Sequence, residues 1–184
     1  MSRFLNAAVF QAGWFASILC AANGMPWMAV LAVLAVVALH LALAPAVVPE
    51  LKLVLSAALI GILCENALVL SGLTAFQGGA LIDGTAPLWM VAQWMLFATT
   101  LNLSLSWLKG NLPVAALFGV VGAPLSYMAG ERLGALQLVD RESALMALAV
   151  GWAVLTPLLM LLARRWDGRV TPGMKSPPEG VQHA

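Results

Sequence analysis

Glu65 is the only acidic residue well inside an apolar stretch of this 184-residue chain. A carboxyl at that depth in hydrocarbon has to be protonated, paired or hydrated, and such residues mark proton-transfer and ligand sites. The competing role is a protonated Glu65 acting as glue between helices, bonded to Asn66 and Gln93. Glu65 lies roughly 10 Å below the outer end of its run, from the helical rise per residue. Asn66, Gln93, Ser126 and Tyr127 fall in the same outer half, with Gln11 and Trp14 nearer the middle. If their helices converge, these seven residues form a polar pocket facing the outer side or the outer leaflet. Tyr127, the single Tyr, is read as an interfacial anchor, the alternative being a pocket hydroxyl. His40 is read as a neutral side chain bonded to a neighbouring helix rather than as a proton relay.

The elements that must position these groups are transmembrane helices. The chain is 62% hydrophobic and 9% charged, too little charge to cover the surface of a soluble domain of this size. Six apolar runs, at 4–22, 27–47, 51–71, 87–107, 112–129 and 143–163, each approach the roughly 20 residues of a spanning helix. The fold expected is an all-α integral membrane bundle of six transmembrane helices over residues 1–166, followed by a disordered cytoplasmic tail at 167–184. The run at 87–107 is the central helix. It carries Gln93, Thr100 and Ser104 on one face with Trp89, and Thr99, Asn102 and Ser106 on nearly the opposite one, and hydrocarbon satisfies neither face. Arg3 ahead of an apolar run suggests a signal peptide, but Asn6, Gln11, Trp14 and Ser17 interrupt it, so it is read as a retained helix.

Placing both termini in the cytoplasm puts Arg3, Lys52, Lys109, Arg164, Arg165, Arg169 and Lys175 inside, against Arg132 and Arg141 outside. That is the positive-inside bias of an N-in, C-in protein. Trp27 and Trp89 then mark the outer interface, Trp107 and Trp166 the inner one. Glu50 and Lys52 sit in a short inner turn after Pro45 and Pro49. The loop 72–86 is either a lid over the pocket or a flexible link, with Asp83-Gly84 forming a turn before Pro87. Gly122, Ser126, Gly130 and Gly134, each four apart, predict a helix-packing seam, and Pro124 predicts a kink. Asp140 and Ser143 cap the last helix. Cys20 and Cys64 lack CxxC spacing and are read as free thiols. No His-rich box, Gly-rich phosphate loop or paired mid-membrane carboxylates occur, so neither a metal nor a cofactor is expected, and a net charge of +1 points to no nucleic-acid partner.

Pro87-Leu88-Trp89, Trp94-Met95-Leu96-Phe97-Ala98 and Ser104-Leu105-Ser106-Trp107-Leu108 resemble the central signature of a bacterial inner-membrane family. Gly122-Ala123-Pro124-Leu125-Ser126-Tyr127-Met128-Ala129-Gly130 and Leu133-Gly134-Ala135 resemble its second signature, and Trp14-Phe15 and the stretch 151–157 fit its flanking helices. It is the domain-of-unknown-function family twenty-eight seventy-eight, and the resemblance covers nearly all of the chain except the tail. Its usual Asp-Ser in helix three is replaced here by Glu65-Asn66, which keeps a carboxyl on a longer arm. Members are often encoded beside cyclopropane-fatty-acid-synthase-like methyltransferases and flavoprotein oxidases. The resemblance implies a multi-pass protein of the bacterial inner membrane associated with membrane-lipid modification.

Three function classes fit these residues: an accessory factor in fatty-acid or lipid modification with membrane lipid as partner, a small proton- or cation-coupled transporter using Glu65, and a structural partner of other inner-membrane proteins.

Overall fold

A computed structural model describes residues 1–167. Six helices run in order: α1 (Arg3–Ala22), α2 (Pro26–Ala42), α3 (Val47–Leu70), α4 (Leu88–Leu101), α5 (Leu112–Arg132) and α6 (Arg141–Arg165). Four of them, α1, α3, α5 and α6, are long and apolar enough to cross a membrane, while α2 and α4 are shorter apolar helices. Leu59 and Leu63 of α3 and Val150 and Val154 of α6 stand exposed, as a hydrocarbon-facing surface requires.

Local chemistry explains the helix ends. Ser2, Asn111 and Asp140 each accept an N–H of the first turn of α1, α5 and α6, from Leu5, Val114 and Ser143. The Ser143 hydroxyl and amide hold the exposed Asp140 carboxyl below its ordinary range. At their far ends α3 and α5 stop in the same way. Gly72 and Gly134 take positive φ, and the following Leu73 and Ala135 donate back to Leu68 and Gly130. Each cap feeds directly into a short strand. These strands, β1 (Thr74–Phe76) and β2 (Leu136–Leu138), pair antiparallel, Thr74 opposite Leu138 and Phe76 opposite Leu136. The segment expected as a lid or link thus contributes a strand to a ribbon that closes one end of the bundle. Trp89, expected at the outer interface, is instead fully buried beneath it, edge-on to Phe76 at 5.6 Å.

Helix α4 is the hub. Ten of its fourteen residues are buried, and it packs on α1, α2, α3 and α6. It ends at Leu101, well short of the Trp107 expected, and gives way to a turn and a 3-10 helix at Ser106–Gly110. The hydroxyls of Thr99 and Thr100 bond back to the carbonyls of Leu96 and Phe97 at 2.7 and 2.6 Å. Asn6 then serves both sides of the break: it donates to the Thr99 carbonyl and accepts from the Ser104 amide and hydroxyl. Asn102 donates to the Trp166 carbonyl. Apart from Gln93, which lies inside α4, the polar residues that suggested two faces of one long helix therefore cluster where it ends and bond to backbone or to Asn6 there.

One further expectation changes. Helix α3 begins before Pro49, so Glu50 is not in an inner turn; it is buried in the first turn of α3, with Oε2 3.1 Å from His40 Nε2. Proline is tolerated in a first turn, where its missing N–H costs no intrahelical bond. Asp167 is held by Lys109 Nζ at 2.7 Å, and Arg164 donates to the Lys109 carbonyl. The rest of the tail lies outside the described residues. Cys20 and Cys64 are free.

The tight contact between α5 and α6 falls on Gly119, where an added Cβ would sit 2.2 Å from the Trp152 carbonyl oxygen and 2.3 Å from Thr156 Oγ1. Gly122 faces only Phe118 of its own helix, Ser126 is exposed, Gly130 touches Leu136 and Ile18, and Gly134 lies beyond the helix end. Gly119→Ala should therefore destabilise the protein by about 1–3 kcal/mol, read as a lower melting temperature in detergent. Gly122→Ala should melt as wild type does or slightly higher; equal melting of the two variants would contradict this packing.

Candidate functional site

Glu65 projects from α3 and is fully buried. Its Oε1 accepts two hydrogen bonds, from Trp94 Nε1 of α4 at 2.8 Å and from the Tyr127 hydroxyl of α5 at 2.5 Å. One carboxyl oxygen thereby joins three helices. Trp94 carries the link to a fourth, stacking on Trp152 of α6 with ring centroids 4.7 Å apart, while Phe97 meets the same ring edge-on. The approach of Trp94 depends on Gly61, one turn below Glu65 on α3. A Cβ there would lie 2.5 Å from the indole Cγ.

These residues wall one end of a cavity of about 680 Å³, within the range of small-molecule sites. α1 and α5 form its sides, α4 its floor, with Trp152 and Thr156 of α6 beneath α5. No extended packing joins α1 to α5, and Gln11 and Phe15 on one rim and Leu125 and Ser126 on the other are exposed. The cavity is therefore a groove open sideways, through the surface that faces hydrocarbon, rather than a well open at one end of the bundle. Along α1 it extends from Ala7 to Ile18, roughly 16 Å of helix.

The groove brings together Gln11, Trp14, Glu65, Gln93, Ser126 and Tyr127. Asn66 is turned away: its amide donates to the Ile62 carbonyl and its Oδ1 accepts from the Ala86 amide, tying the loop 72–86 to α3. Tyr127 is no interfacial anchor. It is buried, and its hydroxyl finds an acceptor in Glu65 Oε1 of α3. Glu65 is bonded by Trp94 and Tyr127 rather than by Asn66 and Gln93. Four buried polar atoms of the lining have no protein partner: both amide atoms of Gln93, Oε2 of Glu65 and Oγ1 of Thr156. Sequence reasoning missed Trp94, Trp152 and Gly61 as parts of the site. The available signal was the Trp94 indole N–H, a donor that hydrocarbon cannot satisfy, and Gly61 exactly one turn from Glu65.

Loss of either donor strands part of a buried bond. Tyr127→Phe should lower stability by about 1–3 kcal/mol, and Gly61→Ala should displace Trp94 and shift its fluorescence. Glu65→Gln keeps an acceptor oxygen and should retain the fold. Thermal melting in detergent with indole emission checks all three; a Gly61→Ala protein indistinguishable from wild type would refute the packing.

A family model described as "Protein of unknown function (DUF2878)" matches residues 3–158. No curated protein and no solved structure matches the chain significantly.

Proposed function

We propose that this chain, which belongs to the DUF2878 family, is a lipid-binding protein of the bacterial inner membrane that assists fatty-acid or lipid modification. The carrying observation is the groove itself, open sideways between α1 and α5 and walled by Phe10, Trp14, Phe97 and Trp152. A site entered from hydrocarbon selects solutes that already reside there. In this reading all six helices lie in the membrane, α2 and α4 shielded by the longer four, with both termini on the cytoplasmic side. The basic residues Lys109, Arg164 and Arg165 at one end of the bundle support that orientation. Membrane lipid is the ligand, and a lipid-modifying enzyme of the same membrane is the partner that would use it.

The buried carboxyl of Glu65 favours a second reading, proton- or cation-coupled transport. The two separate in one comparison. Deleting the gene should change the fatty-acid profile of the membrane, and Glu65→Gln, which retains the fold, should restore most of the wild-type profile. An unchanged profile on deletion would overturn the lipid reading. Proton-coupled uptake by the reconstituted protein, abolished by Glu65→Gln, would establish transport in its place.

A further inference from the structure

The polar atoms of the groove say more about its ligand than the apolar wall does. Among the described residues no Lys, Arg or His lines it. A phosphate or carboxylate head seated there would be an unpaired anion in a low-dielectric site, which costs far more than hydrogen bonding returns. Yet the groove is not uniformly apolar. Glu65, Gln93 and Tyr127 each stand five residues from the ribbon-side end of their helices, and so lie at one depth, roughly 7 Å in. At that depth Glu65 Oε2 and both amide atoms of Gln93 are without protein partners, although buried polar atoms are ordinarily bonded. Glu65 itself is fully buried, so its free oxygen has no recourse to bulk solvent. Below them, away from the ribbon, the lining is mainly aromatic and aliphatic through Trp152, Phe97 and Phe118, with Thr100, Ser104 and Thr156 set among them.

We propose that the groove binds a single-chain amphiphile with an uncharged head that both donates and accepts hydrogen bonds, a hydroxyl being the simplest case. The head sits at the ribbon end, on the Gln93 amide and Glu65 Oε2, and the chain runs along Trp94 and Trp152 toward Phe118. A hydroxyl suits Oε2 in either protonation state, donating to a carboxylate or accepting from the acid. The Gln93 amide offers one acceptor and two donors beside it. This inference rests on the lipid-binding reading and assigns the head group it selects.

The test uses the full chain in detergent and three brominated probes of equal chain length: a long-chain primary alcohol, its phosphate monoester and the parent alkane. Bromine in the chain quenches Trp94 and Trp152 when the groove is filled. Saturable quenching by the alcohol, at least tenfold tighter than by the alkane or the phosphate, is the expected result. Gln93→Leu should weaken the alcohol about tenfold, the loss of roughly one net hydrogen bond, and leave the alkane unaffected. Because the Gln93 amide has no protein partner, this variant should melt at or above the wild-type temperature, which separates lost recognition from lost fold. Equal binding of alcohol and alkane, tighter binding of the phosphate, or indifference to Gln93→Leu would overturn the head-group assignment while leaving lipid binding intact. Absence of saturable quenching by every probe would overturn the lipid-binding reading as well.

Discussion

The bundle depends on a single buried oxygen. Glu65 Oε1 receives an indole N–H and a phenol hydroxyl from two other helices, and in a bilayer none of the three groups has water to fall back on. Their pairing fixes the rotamers of Trp94 and Tyr127, and through the Trp94–Trp152 stack it fixes where α6 lies against α4. The void between α1 and α5 persists because the large side chains that would fill it are committed to this network.

Small residues set how closely the network can draw together. Gly61 admits the Trp94 ring and Gly119 seats α5 on the carbonyl of Trp152. Neither position is special for its backbone conformation; each is special for the absent methyl group. Interiors packed at crystal-like density leave no slack for a Cβ at either place.

Much of this was legible in the sequence. Glu65 stood out because a carboxyl in an apolar run is costly, and depth alone grouped it with Gln93, Ser126, Tyr127, Gln11 and Trp14, which the structure does bring to one groove. The cap at Asp140 and the turn at Asp83-Gly84 followed from turn chemistry. Other features were illegible because they depend on who neighbours whom. Depth cannot say that Asn66 faces away, that Trp89 is covered by a ribbon, or that Asn6 reaches across to the Thr99 carbonyl and shortens the central helix. The start of α3 differs for a local reason: Pro49 sits in a first turn rather than in the link between helices, so Glu50, expected in that link, is buried against His40 instead.

The ribbon of β1 and β2 governs more than the closure of one end. α3 and α5 do not pack extensively on each other; apart from Tyr127 reaching Glu65, what joins them is a pair of strands that begins two residues beyond each helix cap. Paired strands lie about 4.8 Å apart whatever their side chains. The spacing of the two helix tops is therefore gauged by main-chain geometry. The reach from phenol to carboxyl is set by a ruler that side-chain substitution cannot recalibrate.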